Sequence, residues 1–278
     1  MSKGYAINIG INRVDPDHYQ GWDGALKACE ADARDMRELT QTLGFDGELL
    51  LTSDATAENV TAAIARASER AEPGDLVVLS YSGHGGQVPD THDEEEDALD
   101  ETWVLYDRQL VDDELAALYG RFAEGVRVFV LSDSCHSGSV TRGIYLDELL
   151  DQAVDQGFVA TRPAVKSVPN DLRSRIYEGS KALYDQIQAD NPAGEDVEAQ
   201  ATVILISGCQ DNQESLDGDR NGLFTETMLK TWENGAFQGS HRRFRRRILD
   251  KMPPYQSPNY FVTGAPSRAF ERQRPFQI

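Results

Sequence analysis

The chain has 278 residues, of which 40% are hydrophobic, and its formal net charge at pH 7 is −20. This composition predicts a packed globular core, and the acidity disfavours nucleic acid as the main partner because phosphate binding needs clustered cations. No apolar run approaches the roughly 18 residues of a membrane span. The chain has three cysteines, an odd number, and its N-terminal residues do not resemble a secretion signal, so we expect a cytoplasmic protein without disulfides.

Residues 1–140 alternate between predicted strands and predicted helices. Short apolar or alternating runs bounded by turn residues predict strands, and apolar residues at three- and four-residue steps predict helices. The predicted strands are residues 5–11, 48–52, 76–80, 102–106 and 126–131, the predicted helices are residues 25–43, 56–71 and 112–122, and residues 87–101 are a predicted acidic loop. This order predicts an α/β fold with a mostly parallel central sheet and helices on both faces.

The regular order is lost in residues 141–200, which we predict to be an irregular, linker-like excursion with one helix at 178–189. After it, the predicted elements are a strand at 202–207, a helix at 223–232, a basic helix at 241–251 and a closing strand at 259–263. The apolar residues of the basic helix step by four, so its arginines are predicted to form a solvated face. We expect one domain over residues 1–278, with parts 1–140, 141–200 and 201–278.

Two of the predicted buried strands stop abruptly at turns of small residues, and these turns contain His84 and Cys135. Carboxyl ends of parallel strands meet at one edge of a sheet, which brings a thiol and an imidazole together. A thiolate is a nucleophile that a nearby imidazole can generate near neutral pH. The backbone N–H groups of Gly85 and Cys135 are candidates for an oxyanion hole, whereas Cys29 and Cys209 fit small core residues.

The sequences YSGHGG at residues 81–86 and DSCHSG at residues 133–138 resemble the paired motifs of metacaspases and their bacterial relatives. The resemblance is good over residues 5–142 and looser over residues 202–264. It implies a caspase-like three-layer sandwich, with a large-subunit-like part before residue 140 and a small-subunit-like part after residue 201. It also implies a cysteine endopeptidase in which Cys135 attacks the scissile carbonyl, and His84 protonates the leaving amine and then activates water. His136, next to Cys135 in the sequence, is expected to be structural.

The same resemblance implies an acidic pocket, because metacaspases cleave after arginine or lysine. The pocket positions correspond to Asp32, Ser82 and Asp133. Two carboxylates there would bind a cationic side chain of the substrate. The plainer alternatives are an ordinary helix-surface acid for Asp32 and a loop or capping residue for Asp133.

Residues 90–101 include eight acidic side chains, and such crowding suits a hard cation such as Ca²⁺. Many metacaspases need Ca²⁺, and their ligands correspond to Asp100, Asp112 and Asp113. The family's remaining carboxylate corresponds to Arg142, which cannot ligate a cation. No cofactor is therefore expected to be required, and three alternatives stay open: Ca²⁺ binding, replacement of the cation by Arg142, and a solvated loop.

A peptidase with an acidic pocket could cleave itself in residues 141–200, because exposed irregular segments are where nicking concentrates. The candidate cleavage positions are the basic residues Arg142, Arg162, Lys166, Arg173, Arg175 and Lys181. We expect protein or peptide substrates, an activating protein or protease, no nucleic-acid or membrane partner, and a monomer. The rival functions are a catalytically silent scaffold and an Asp-specific peptidase.

Overall fold

A computed structural model describes residues 2–91, 98–135, 146–158, 160, 162–191, 199–210, 213 and 215–278. Its central sheet has six strands in the order β2-β1-β3-β7-β8-β9. These strands are β1 (Gly4–Gly10), β2 (Asp46–Leu51), β3 (Leu76–Ser82), β7 (Arg127–Asp133), β8 (Thr202–Ser207) and β9 (Phe261–Gly264). All neighbouring pairs are parallel except β8 with β9, which confirms the predicted mostly parallel sheet.

The register of the central strands determines which residues meet at the carboxyl edge of the sheet. Ser82, the last residue of β3, lies opposite Asp133, the last residue of β7. The residues that follow these two strands include His84 and Cys135. The predicted meeting of the two motifs at one edge therefore follows directly from strand pairing.

Three further strands form a small antiparallel sheet beside this edge, in the order β4-β5-β6. They are β4 (Gly85–Pro89), β5 (Leu99–Val104) and β6 (Gln109–Val111). The prediction of a loop over residues 87–101 is wrong at both ends, because Gly85 to Pro89 pair with Trp103 to Leu99. Gly86 has to be small there, because a Cβ on it would overlap the side chains of Gln109 and Thr102.

Nine α-helices lie within the described part of the chain. They are α1 (Cys29–Thr42), α2 (Ala57–Arg70), α3 (Asp112–Tyr119), α4 (Leu146–Asp155), α5 (Asn170–Gly179), α6 (Lys181–Asp190), α7 (Leu223–Trp232), α8 (His241–Leu249) and α9 (Arg268–Arg272). Helix α1 begins later than the predicted residue 25, because the N–H groups of Lys27 and Ala28 donate to the carboxylate of Asp217 at 2.7 and 3.2 Å. Lys27 and Ala28 therefore precede helix α1 and are not part of it.

Residues 141–200 are more regular than the sequence suggests, because α4, α5 and α6 lie within them. The single helix predicted at 178–189 is two helices that break at Ser180, whose backbone φ of −131° is not helical. Between α4 and α5, residues 164–168 run along the carboxyl edge of the central sheet, where Val165 bridges Leu216 and Ser167 bridges Gly85.

Two apolar clusters cover the two faces of the central sheet. Alternate residues of β1 divide between them, with Ile7 and Ile9 in one cluster and Ala6 in the other. Helices α2 and α3 contribute to the first cluster, and α1, α7 and α8 to the second. This arrangement is the predicted three-layer sandwich. Among the described residues, none of the helices has the length and apolar content to cross a membrane.

Candidate active site

His84 lies in the turn after β3 and is buried. Its Nε2 is 2.9 Å from the carbonyl oxygen of Gly24, and its ring lies 4.7 Å from the ring of Trp22. Burial lowers the pKa of His84 to about 4, although the hydrogen bond to Gly24 favours the protonated form. The hydrogen bond and the Trp22 ring orient the imidazole, which is neutral at pH 7.

Cys135 lies directly after β7 and is fully buried. Its Sγ is contacted by the backbone N–H of Ser215 and lies 3.0 Å from Sγ of Cys209. The Cys209 thiol also donates to the carbonyl of Ser134 at 3.3 Å. Cys209 is buried as predicted, but it contacts the candidate nucleophile instead of only filling the core, which the sequence did not indicate.

The two motifs meet on the carbonyl oxygen of Lys166. The backbone N–H of Gly85 donates to this oxygen at 3.0 Å, and the backbone N–H of Cys135 donates to it at 3.1 Å. These are the two donors predicted for the oxyanion hole. Both distances fall in the range expected for donors that stabilise developing negative charge on a carbonyl oxygen.

Residues 164–168 are held as an extended strand on both sides of this carbonyl. Before it, the N–H of Lys166 donates to the carbonyl of Ser215 at 2.9 Å, and the N–H of Asp217 donates to the carbonyl of Ala164 at 2.8 Å. After it, the N–H of Val168 donates to the carbonyl of Gly85 at 2.9 Å. Main-chain pairing of this kind is how an extended peptide binds to an exposed strand edge.

The side chain of Lys166 enters a pocket formed by the three predicted pocket residues. Its Nζ lies 2.9 Å from Oγ of Ser82, 3.1 Å from Oδ2 of Asp133 and 3.3 Å from Oδ2 of Asp32. Lys166 is fully buried, and both carboxylates are only 1% exposed. Asp32 and Asp133 are therefore neither surface acids nor loop caps.

The pocket carboxylates are also bound by the first turn of helix α7. The N–H of Gly222 donates to Oδ1 of Asp32 at 3.0 Å, and Oγ1 of Thr225 donates to Oδ2 of Asp133 at 2.8 Å. Oγ of Ser215 donates to the other oxygen of Asp133 at 2.6 Å. Helix N-termini favour negative charge, so the start of α7 interacts favourably with both carboxylates.

Burial and charge act against each other in this pocket. Burial raises the pKa of Asp32 to about 6, and the Lys166 ammonium opposes that rise. For Lys166, burial alone would lower the pKa, but the negative charges of Asp133 and Asp32 raise it well above its ordinary value. The buried cation is therefore retained at neutral pH.

The candidate calcium ligands lie at the ends of β5 and β6. Asp112 begins helix α3, and burial, followed by the charge of Asp100 and then that of Glu101, raises the pKa of Asp112 well above its ordinary value. Asp113 is buried as well. Over the described ranges, no three carboxylate, imidazole or thiol groups are placed to hold one metal ion. The donor set of the described residues therefore does not form a calcium site by itself.

Several sequence predictions fall outside the described residues, among them those for residues 93–97, His136 and Arg142. Three pocket residues were not predicted at all: Ser215, Gly222 and Thr225. The sequence indicates that a helix begins near residue 223, but it has no signal that this helix end faces α1 and β7. Only the tertiary structure brings these elements together.

The family model "Caspase domain" of the C14 peptidases matches residues 3–266, so the chain belongs to the caspase-domain family. It is 32% identical to Metacaspase-1 of Mycosarcoma maydis over 248 residues, which cover 81% of this chain and 60% of that protein. It is also 32% identical to Metacaspase-1A of Aspergillus fumigatus over 254 residues, covering 80% and 58%. The predicted resemblance is confirmed, and the chain spans about 60% of the length of these curated relatives.

Two solved structures resemble this chain. Protein GSU0716 from Geobacter sulfurreducens has a TM-score of 0.87 at 46% sequence identity, covering 99% of this chain and 98% of that one. Caspase-1 from Spodoptera frugiperda has a TM-score of 0.52 at 11% identity, covering 95% and 86%. The second likeness concerns the fold alone.

Proposed function

We propose that this chain is a cysteine endopeptidase that cleaves after lysine or arginine, and that its own Lys166–Ser167 bond is the first bond presented to it. The observation that carries the proposal is the Lys166 carbonyl oxygen, held by the N–H groups of Gly85 and Cys135 while the same residue's ammonium lies between two buried carboxylates. Backbone and side chain together hold Lys166 as the residue before the cleaved bond of a substrate would be held.

The proposed chemistry uses groups that surround this carbonyl. His84, neutral at pH 7, takes the proton of the Cys135 thiol, and the thiolate attacks the carbonyl carbon. The two backbone N–H groups stabilise the resulting oxyanion. The protonated imidazole gives its proton to the nitrogen of Ser167 as that amine leaves. His84 then removes a proton from the water that hydrolyses the thioester.

The pocket also argues against the two rival functions. An aspartate side chain would meet two carboxylates, Asp32 and Asp133, in a fully buried site, and the repulsion between like charges there would be large. A silent scaffold would need neither the paired N–H donors on the Lys166 carbonyl nor the oriented imidazole of His84. The arrangement therefore favours lysine or arginine before the cleaved bond.

Self-cleavage would release the residues that fill the pocket. While residues 164–168 occupy the strand edge and Lys166 fills the acidic pocket, an outside peptide cannot bind there. Cleavage after Lys166 frees the chain end and allows a substrate to compete. The uncleaved chain is in this sense a zymogen, and a partner that displaces the segment would have the same effect.

Intact-mass measurement of the purified protein tests the proposal. The wild type should convert into fragments 1–166 and 167–278 at a rate independent of protein concentration, since the bond already lies in its own site. Cys135→Ala and Lys166→Gln should stay intact, and Lys181→Gln, which changes an exposed lysine of the same region, should cleave like the wild type. An uncleaved wild type, or a Cys135→Ala variant cut at the same bond, contradicts the proposal.

The proposed reaction routes no step through calcium. The same time course with a chelator and with added Ca²⁺ examines this point. Equal rates in the two arms are expected. A rate that depends on Ca²⁺ would assign a role to Asp100, Asp112 or Asp113 together with residues outside the described ranges.

A further inference from the structure

Resting on the proposed function, we propose that the acidic pocket selects lysine over arginine and that Gly222 is the residue that sets this limit. Gly222 precedes helix α7 and contacts the end of the pocket through its own backbone. The preference depends on the size of the pocket and on the placement of its hydrogen-bond acceptors, in addition to its negative charge.

The acceptors of the pocket fit an ammonium group. Ser82, Asp133 and Asp32 come from three separate elements, β3, β7 and α1, and each offers one oxygen within 3.3 Å of Nζ. A lysine ammonium has three donors on one atom that rotate to meet separate acceptors. A guanidinium is planar and binds best to two oxygens of one carboxylate side by side.

In this pocket such a paired arrangement is already used by the protein. Both oxygens of Asp32 lie within 3.2 Å of the N–H of Gly222, and the two oxygens of Asp133 accept from Ser215 and Thr225. The guanidinium of an arginine would have to compete with these internal donors for the two oxygens of one carboxylate. An ammonium needs one oxygen from each carboxylate and leaves the internal hydrogen bonds in place.

Gly222 closes the pocket directly behind the ammonium. A Cβ on Gly222 would overlap Nζ of Lys166 and Oδ2 of Asp133 and would lie 3.0 Å from Oδ2 of Asp32. The backbone angles of Gly222, φ −58° and ψ 147°, are open to any residue. Glycine is therefore required at this position by space and not by backbone conformation.

An arginine side chain would reach further into this pocket than the side chain of Lys166 does. Arginine has two more heavy atoms than lysine, and its terminal nitrogens lie one bond further from the backbone. These atoms would meet the backbone of Gly222.

The poor fit of an arginine side chain in this pocket predicts a measurable preference for lysine. One surplus group in a fitted pocket changes kcat/KM about 10- to 200-fold, so we expect at least about tenfold higher kcat/KM for lysine than for arginine in otherwise identical peptides. The bond after residue 166 provides an internal version of the same comparison. Lys166→Arg should slow self-cleavage by a similar factor, while Lys181→Arg should leave the rate unchanged.

Fluorogenic peptides that differ only in lysine or arginine, assayed on the self-cleaved protein, test the inference. Because a side chain at Gly222 also blocks the pocket for Lys166, Gly222→Ala should neither self-cleave nor turn over either peptide, while its thermal unfolding transition is retained. Ser82→Ala, which removes one ammonium acceptor and widens the pocket, should narrow the lysine-to-arginine ratio and so provides a test independent of Gly222.

The outcomes separate the inference from the function on which it rests. Arginine turnover equal to or faster than lysine turnover overturns the lysine preference and leaves the peptidase intact. A folded Gly222→Ala variant with wild-type activity on the lysine peptide overturns the role of Gly222. A wild-type protein that neither self-cleaves nor turns over either peptide overturns the proposed function itself, and the lysine preference with it.

Discussion

Replacement of Lys166 by methionine tests whether this buried lysine compensates the two pocket carboxylates. Methionine is unbranched and similar in length, so the substitution removes the charge and retains most of the packing. It leaves Asp32 and Asp133, each 1% exposed, without their cation. Removing one partner of a buried ion pair costs about 3–5 kcal/mol, and we expect Lys166→Met to lower the free energy of unfolding by that amount at pH 8.

The loss should depend on pH with a definite sign. Burial already raises the pKa of Asp32 to about 6 with the lysine present, and removal of the cation raises it further. A carboxyl whose folded-state pKa exceeds its unfolded value destabilises the fold as pH rises through that window. The penalty of Lys166→Met is therefore largest at pH 8 and smaller at pH 5, where the folded state takes up a proton.

Urea unfolding at pH 8 and pH 5 measures both effects. The background is Cys135→Ala, which removes the proposed self-cleavage from all samples. Lys181→Met serves as the matched control, because Lys181 is 50% exposed and pairs with Asp185 on the surface of α6, and exposed ion pairs contribute little to stability. A Lys166→Met variant as stable as the control at pH 8, or one equally destabilised at both pH values, refutes the reasoning.

Two other substitutions give separate tests. Asp133→Asn keeps the side-chain shape but removes one negative charge that faces the cation, so kcat/KM for a lysine peptide should fall by at least about 100-fold. Cys135 of this variant should still react with a small thiol reagent. An unchanged kcat/KM would show that Asp133 does not bind the substrate lysine. Burial lowers the pKa of His241 to about 4, and the unfolded state protonates at about 6.5. His241 therefore makes the fold lose about 2 kcal/mol between pH 8 and pH 5, and His241→Asn, which retains a donor for the Phe270 carbonyl, should lose correspondingly less; parallel pH profiles would contradict this.

The mostly parallel sheet and the placement of the two motifs at one edge could be predicted, because buried strands and the turns that end them are visible in the local sequence. Buried parallel strands contain continuous apolar runs, as in residues 76–79 and 128–131, and a serine follows each of these two runs. Once those runs are assigned to neighbouring strands, the meeting of His84 and Cys135 at one edge follows. Helix α7 was predicted with its observed bounds, since its apolar face and the preceding glycine mark it clearly.

The occupant of the pocket could not be predicted, because it depends on contacts between residues far apart in the chain. Lys166 was one of six basic candidates in a segment without clear periodicity, and nothing in its neighbours distinguishes it from Arg173 or Lys181. Lys166 differs from these residues because its ammonium contacts Asp32, which lies 134 positions earlier in the chain. The same applies to Cys209, whose proximity to Cys135 results from the pairing of β7 with β8.

Covalent trapping tests the central claim most directly, namely that Cys135 is a nucleophile at the end of a pocket for cationic side chains. The self-cleaved protein is incubated with two peptide ketone reagents that differ only in a terminal lysine or aspartate, with Cys135→Ala as the blank, and the modified residue is located by mass spectrometry. The account predicts one adduct, on Cys135, with the lysine reagent alone. Preferential labelling by the aspartate reagent, or an adduct at Cys29 or Cys209 in place of Cys135, would contradict it.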